Sequence, residues 1–302
     1  MRLDNIVRSL LYRFSRKYLL NKFDFWEKLG IHISQVSYYS PIPKLAKLRK
    51  KVDSFDKPIE MVGFDWNEGT QIRLMQDIFP QYSHECKFAQ NENDTTNEWD
   101  YFIDNSSFPV GDAFILHSMI KHFKPKKIFE VGSGFSTLVM AKAITSPQEL
   151  VSINPFPGEF ESLFKTGFPG FKRLIKKPVE DINLDFFDEL EANDILFIDS
   201  SHVVRPIGDV VFLYLEVIPR LKQGVIIHSH DIFLPGHIPK DWIFEQHRFW
   251  TEQYLLWALL SFNTEFEILF SAQYMKKYIE ELQSIFPGYW AGGSFWFRKR
   301  NG

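Results

Sequence analysis

The spacing of apolar positions changes along the chain, and the changes divide it. Over residues 1–22, Leu3, Ile6, Val7, Leu10, Leu11, Phe14 and Tyr18 recur at helical spacing and predict an amphipathic helix. Residues 30–109 are irregular and punctuated by Pro41, Pro43 and Pro58. One helix is predicted there over 68–79, and the acid-rich stretch 85–112 reads as loop. From residue 111 the pattern becomes regular. Helices over 112–123, 136–144, 208–221 and 250–261 alternate with short apolar strands over 127–131, 150–153, 171–175, 194–199, 224–229, 266–270 and 294–297. Such alternation predicts an α/β fold, a doubly wound and mostly parallel sheet of seven strands covered on both faces. Ligands of such sheets bind at the carboxyl ends of the strands. The expected organisation is a helical N-terminal extension, 1–110, followed by the α/β domain, 111–302.

Composition narrows the class. Hydrophobic residues make up 45% of the chain and aromatic ones 17%, enough for a real core and against a disordered chain. The net charge of −3 argues against a surface built as a nucleic-acid footprint. Cys86 is the only cysteine, so an intrachain disulfide is impossible and a cysteine-built metal site is not expected. A reducing, cytoplasmic setting suits that composition. No apolar run approaches the roughly 20 residues needed to cross a bilayer, and no secretory signal is expected behind Met1. The first segment sets Arg2, Arg8, Arg13, Arg16, Lys17 and Lys22 against the single acid Asp4. Two readings follow: residues 1–22 lie peripherally on an anionic membrane, at its inner face, or they pack an apolar stripe on the body or on a second subunit of a homo-oligomer. Packing is the commoner use of such a helix.

The strongest chemical signal is Ile128-Phe-Glu130-Val-Gly132-Ser133-Gly134-Phe-Ser136-Thr137, where two glycines close a strand and open a helix. Glycine there permits a tight turn and a close approach of ligand to backbone. A dinucleotide fingerprint would carry a third glycine where this chain has Thr137. The acid ahead of the first glycine suits a ligand bearing a cationic amine and no pyrophosphate. This segment resembles the first motif of class I S-adenosylmethionine-dependent methyltransferases. The resemblance continues through Asp194-Ile-Leu-Phe-Ile-Asp199-Ser-Ser-His202, Pro219-Arg-Leu-Lys-Gln-Gly224 and His228-Ser-His230-Asp231-Ile-Phe-Leu-Pro235, covering roughly residues 112–299. Within that class it is most similar to bacterial small-molecule and sugar O-methyltransferases of the macrocin O-methyltransferase type. The resemblance implies a Rossmann-like methyltransferase fold whose last strand runs antiparallel. It implies S-adenosylmethionine as cofactor, held by Glu130, Gly132, Ser133, Gly134, Ser136, Thr137, Asn154, Glu180 (or its neighbour Asp181) and Asp199. Asn154 stands where the family has an acid on the ribose hydroxyls, so a charge is missing there.

A second cluster follows two central strands: Asp199 and His202 after one, His228, His230 and Asp231 at the end of the next. Alternation along a strand puts His228 and His230 on one face. Two chemistries fit. His202 is a candidate general base, because an imidazole titrates near neutrality. Asp199, His230 and Asp231 are candidate ligands of a divalent cation that would orient the acceptor oxygens and lower the pKa of the attacking one. A mixed Asp/His set favours Mn²⁺ over Mg²⁺. In the similar macrocin-type enzymes a metal and a histidine base act together; this chain has His230 where those enzymes tend to have a carboxylate, and Asp199 and His202 are its candidate catalytic residues. His228 reads as a core histidine and His237 as a loop residue at the site mouth. Trp242, Phe244, Phe249, Trp250, Tyr254 and Trp257 either line an acceptor pocket or fill the core, and Glu245, Arg248 and Glu252 are polar residues among them. The expected function is methyl transfer from S-adenosylmethionine to a hydroxyl of a small molecule or sugar. The competing readings are a nicotinamide-dependent oxidoreductase, disfavoured by Thr137 and Asn154, and a membrane-associated scaffold with a degenerate cofactor fold.

Overall fold

Seven strands form one sheet in the computed structural model, which describes residues 2–300. They are β1 (Lys127–Val131), β2 (Glu149–Ile153), β3 (Phe171–Ile175), β4 (Ile195–Ile198), β5 (Ile226–Ser229), β6 (Phe266–Ser271) and β7 (Phe295–Lys299). Their order is β3-β2-β1-β4-β5-β7-β6. β1 pairs in parallel with both β2 and β4, and β4 with β5, while β7 runs antiparallel to β5 and β6. Chain order therefore reverses between β1 and β4, and a crevice opens beyond the carboxyl ends of strands at such a switch point.

Apart from the edge strand β3, which carries the exposed Lys172 and Arg173, the strands are short and apolar because both faces are buried. Alternate residues feed two cores: Ile128, Ile195, Phe197 and Ile226 face one, and Phe129, Leu196, Ile198 and Ile227 face the other. The helices Val110–Phe123 and Phe135–Ala143 cover the first face. On the second face lie Glu252–Leu260 and the helical stretch 209–220, whose middle widens into a π turn over Leu213–Val217. Residues 111–120 of the helix Val110–Phe123 are buried on every side, so it carries no polar stripe.

The chain divides into two compact units, one ending at Ser54 and the other beginning at Phe55. The strand-and-helix framework starts with the helix Val110–Phe123. The unit built on it starts earlier, because Leu74, Met75, Phe79, Tyr101 and Phe108 are buried in the sheet's own core. In the first unit the helix Arg2–Tyr18 leaves Ile6, Leu10, Leu11 and Phe14 exposed.

Candidate functional site

The glycine turn is held from beneath. Glu130 is fully buried at the end of β1 and accepts hydrogen bonds from Ser136 Oγ (2.9 Å), Thr137 Oγ1 (2.9 Å) and Ser152 Oγ (2.6 Å). Burial pushes its carboxyl up to about 7 against the pull of the three hydroxyls. Thr137 Oγ1 also accepts from the Gly134 amide (3.1 Å), which ties the loop to the start of the helix Phe135–Ala143. Gly132 has φ +88°, and a Cβ there would meet the backbone carbonyl of Asp199. Glycine at this position thus lets the end of β1 lie directly against the end of β4.

Above the turn lies a cavity of about 380 Å³. Gly132, Ser133, Asn154, Glu180 and Asp199 line it, with apolar walls from Val131, Ile153, Phe156 and Val179. Five of the residues expected at the cofactor therefore meet in one place. Glu130, Ser136 and Thr137 do not reach the cavity: their polar atoms are spent on one another, and they shape the turn from below. Gly134 is likewise at the helix start and not on the cavity wall. Asn154 Nδ2 donates to Ser133 Oγ (2.8 Å), and its Oδ1 accepts from the Phe156 amide, so it braces the rim of the cavity.

A second cavity, of about 510 Å³, shares the wall Asp199–Ser200–Ser201 with the first. It is lined by His202, His230, Asp231, Trp242, Arg248 and Trp250 together with residues 105–109. At its floor the ligating atoms of Asp199, His230 and Asp231 lie within 4.8 Å of one another. His230 Nδ1 is 3.8 Å from Asp199 Oδ1 and 3.5 Å from Asp231 Oδ2. The alternation of β5 would turn Asp231 away, but Asp231 takes φ +55°, and this left-handed kink brings its carboxylate round to His230. His230 is oriented from behind. Its Nε2 bonds Asp112 Oδ2 (3.1 Å), and Asp112, itself fully buried, also accepts from the amides of Gly293 (2.9 Å) and Ser294 (3.1 Å). A carboxylate that takes one ring proton of a histidine leaves the other nitrogen available to a metal. The donor set and its backing therefore fit a divalent cation. Burial works against protonation of His230, but Asp231, Asp199 and Asp112 outweigh it and hold the ring well above its ordinary pKa. Burial likewise raises Asp199, and the neighbouring His230 and His202 reverse this and hold it at about 2.

His202 is fixed on two sides. Its Nδ1 lies 2.8 Å from Glu252 Oε2 and its Nε2 3.2 Å from Asp199 Oδ1. Its carbonyl accepts from the amides of Thr251 and Glu252, so the helix Glu252–Leu260 starts on the histidine backbone while its first side chain grips the ring. Glu252 Oε1 in turn accepts from Tyr214 Oη (2.8 Å), which also pairs with Ser229 Oγ (2.7 Å). Tyr214 reaches them from the π turn, a distortion that tends to mark functional sites. Burial lowers the His202 pKa, but Asp199 and Glu252 prevail and lift it to about 10. His228 is a core histidine as expected, stacked on Phe197 at 4.0 Å and kept neutral by burial. His237 packs on Phe55 and does not line the second cavity.

Asp112 and Tyr214 are parts of the site that the sequence pattern does not single out. Asp112 looks like an ordinary acid in the first turn of a helix, and Tyr214 like one more apolar helix residue.

A methyltransferase domain model matches residues 129–232, the stretch from β1 to just beyond β5 that carries the glycine turn and the acid–histidine cluster. An uncharacterized protein of Archaeoglobus fulgidus is 30% identical over 176 residues, which span 52% of this chain and 72% of that protein. Among solved structures the chain is similar to the O-methyltransferase TomG of Streptomyces achromogenes, solved with SAM, at 13% identity and TM-score 0.42, covering 78% of this chain and 97% of that one. It is also similar to the SAH-bound methyltransferase PaMTH1 of Podospora anserina, at 14% identity and TM-score 0.41, covering 89% and 100%. The domain match and the strand order leave no place for the nicotinamide reading. The chain belongs to the class I S-adenosylmethionine-dependent methyltransferases.

Proposed function

We propose that this enzyme transfers the methyl group of S-adenosylmethionine to a hydroxyl of a small molecule, with Asp199, His202, His230 and Asp231 at the reacting end. The observation that carries the reading is the shared wall 199–201. It joins a cavity suited to the adenosine part of the cofactor to a second one floored by acids and imidazoles. Apolar walls suit adenine, while Asn154 and Glu180 at the rim suit the ribose hydroxyls and the adenine amine. The hydroxyl of Ser200, at the junction, is buried without a hydrogen-bond partner and is free to meet the cofactor.

In the reaction a new C–O bond forms as the S–CH₃ bond breaks, and S-adenosylhomocysteine leaves as a neutral thioether. The chain's part is alignment and removal of the hydroxyl proton. Asp199, His230 and Asp231 would hold a divalent cation, Mn²⁺ or Mg²⁺, which supplies Lewis acidity toward the acceptor oxygen. With its pKa at about 10, His202 stands protonated at neutral pH as long as Asp199 faces it; with Asp199 drawn to the cation, its Nε2 would lose that support and be left to accept the hydroxyl proton, while Glu252 keeps the ring in place through Nδ1. The setting is cytoplasmic. A peripheral contact with the inner membrane face through residues 2–22 is supported by the exposed Ile6, Leu10, Leu11 and Phe14.

Calorimetry with S-adenosylhomocysteine tests the reading. Wild-type protein binds it, and Gly132→Arg, which drives a side chain into the Asp199 backbone, weakens binding by roughly tenfold or more. His202→Ala retains that affinity but yields no methylated product. Unchanged binding in Gly132→Arg would overturn the assignment of the cavity.

A further inference from the structure

The second cavity holds one cation that the methyl-transfer chemistry does not use. The Arg248 guanidinium lies 4.9 Å from the ring centre of Trp242 and 5.2 Å from that of Trp250, and the two indoles meet edge to face at 4.9 Å. Among the described residues no carboxylate is recorded within ion-pair distance of it. Its backbone is fixed as well, since the Arg248 amide donates to the Trp242 carbonyl (2.7 Å). Trp250 also packs against the His202 ring at 4.2 Å, so the guanidinium stands one aromatic ring away from the candidate base. Indole contacts attract a guanidinium by its flat side and leave its N–H edges free. Those edges form a rigid fork that matches a carboxylate or phosphate with paired hydrogen bonds. Every other ionisable group on this cavity wall is a histidine or an acid, and those at the floor are engaged with one another. An anionic group seated at the Arg248 end leaves the rest of the molecule lying across the Trp250 face toward His202.

We propose that Arg248, held by Trp242 and Trp250, is an oxyanion subsite, and that the acceptor is a hydroxylated small molecule bearing a carboxylate or a phosphate. This inference rests on the methyl-transfer reading for what happens at the hydroxyl, but the anion site can be tested without turnover. Protein saturated with S-adenosylhomocysteine is titrated with D-glucuronate, D-glucose 6-phosphate and D-glucose while indole fluorescence is followed. The expected result is a saturable response to at least one anion at a concentration roughly tenfold or more below that needed for glucose. The uronate and phosphosugar arms tell which oxyanion is preferred. Arg248→Gln abolishes the preference, Arg248→Lys keeps part of it, and both variants bind S-adenosylhomocysteine as wild type does. Equal responses to all three sugars, no saturable response to either anion, or a preference that survives in Arg248→Gln would overturn the subsite. Loss of S-adenosylhomocysteine binding in wild-type protein with the anion preference intact would instead count against the methyltransferase reading alone.

Discussion

Glu130 is legible as a motif member from its place before the glycine turn, whereas the three hydroxyls that enclose it are not, since Ser152 comes from the neighbouring strand. The buried position has a measurable consequence. The carboxyl titrates at about 7 in the folded protein against 4.5 ordinarily. The folded state therefore binds this proton more tightly, and the associated stability is present below about pH 4.5 and lost as the pH rises through about 7. A shift of that size corresponds to roughly 3 kcal/mol. Glu130→Gln keeps the shape and removes the charge. At pH 8 it is expected to melt several degrees above wild type, and below pH 4.5 the difference should vanish; a variant that melts lower at pH 8 would show that the charged form is needed. Asp199, His202, His230 and Asp231 were legible together because adjacent parallel strands bring their carboxyl ends to one edge. Asp112 was not, because it arrives from a helix more than a hundred residues away in the chain.

The elements of the regular half were nearly all readable from periodicity. All seven strands and the long helices fall within a few residues of their expected bounds. Short helices were not: Lys240–Phe244 and Ile279–Ile285 are too brief for a helical period to declare itself. Nor did the pattern foretell the π turns at Leu74–Ile78 and Leu213–Val217, since one extra residue in a helix leaves the apolar spacing almost intact. The glycine pair before β7, Gly292 and Gly293, is pressed against the acid–histidine cluster. A Cβ on Gly292 would collide with the Asp112 carboxylate, and one on Gly293 with the backbone of Asp231. Gly292→Ala is thus expected to displace Asp112 from His230 and to cost about 1–3 kcal/mol, the usual range for overpacking. Urea denaturation followed by circular dichroism measures this, and an unchanged midpoint would mean that the segment shifts aside freely.

For the molecule as a whole, the unexplained surface is the first helix. Ile6, Leu10, Leu11 and Phe14 are exposed on a segment rich in arginine and lysine, a combination that binds anionic lipid through both apolar burial and charge. Sedimentation with phosphatidylglycerol vesicles is expected to carry down the full chain but not a variant lacking residues 2–22, and neutral phosphatidylcholine vesicles should carry down neither. Equal sedimentation of both proteins would remove the membrane from the account. The compact unit that begins at Phe55 was not legible, because residues 55–109 have irregular local structure and declare their allegiance only through the core they fill.

The amide donors of Gly293 and Ser294 have a consequence in time. During synthesis, the histidine at 230 and its backing acid at 112 emerge from the ribosome long before the two N–H groups that satisfy that acid. Until residues 293–299 are free to add their strand, the inner carboxylate stays underpaired, so the reactive end of the enzyme locks only once β7 has been made.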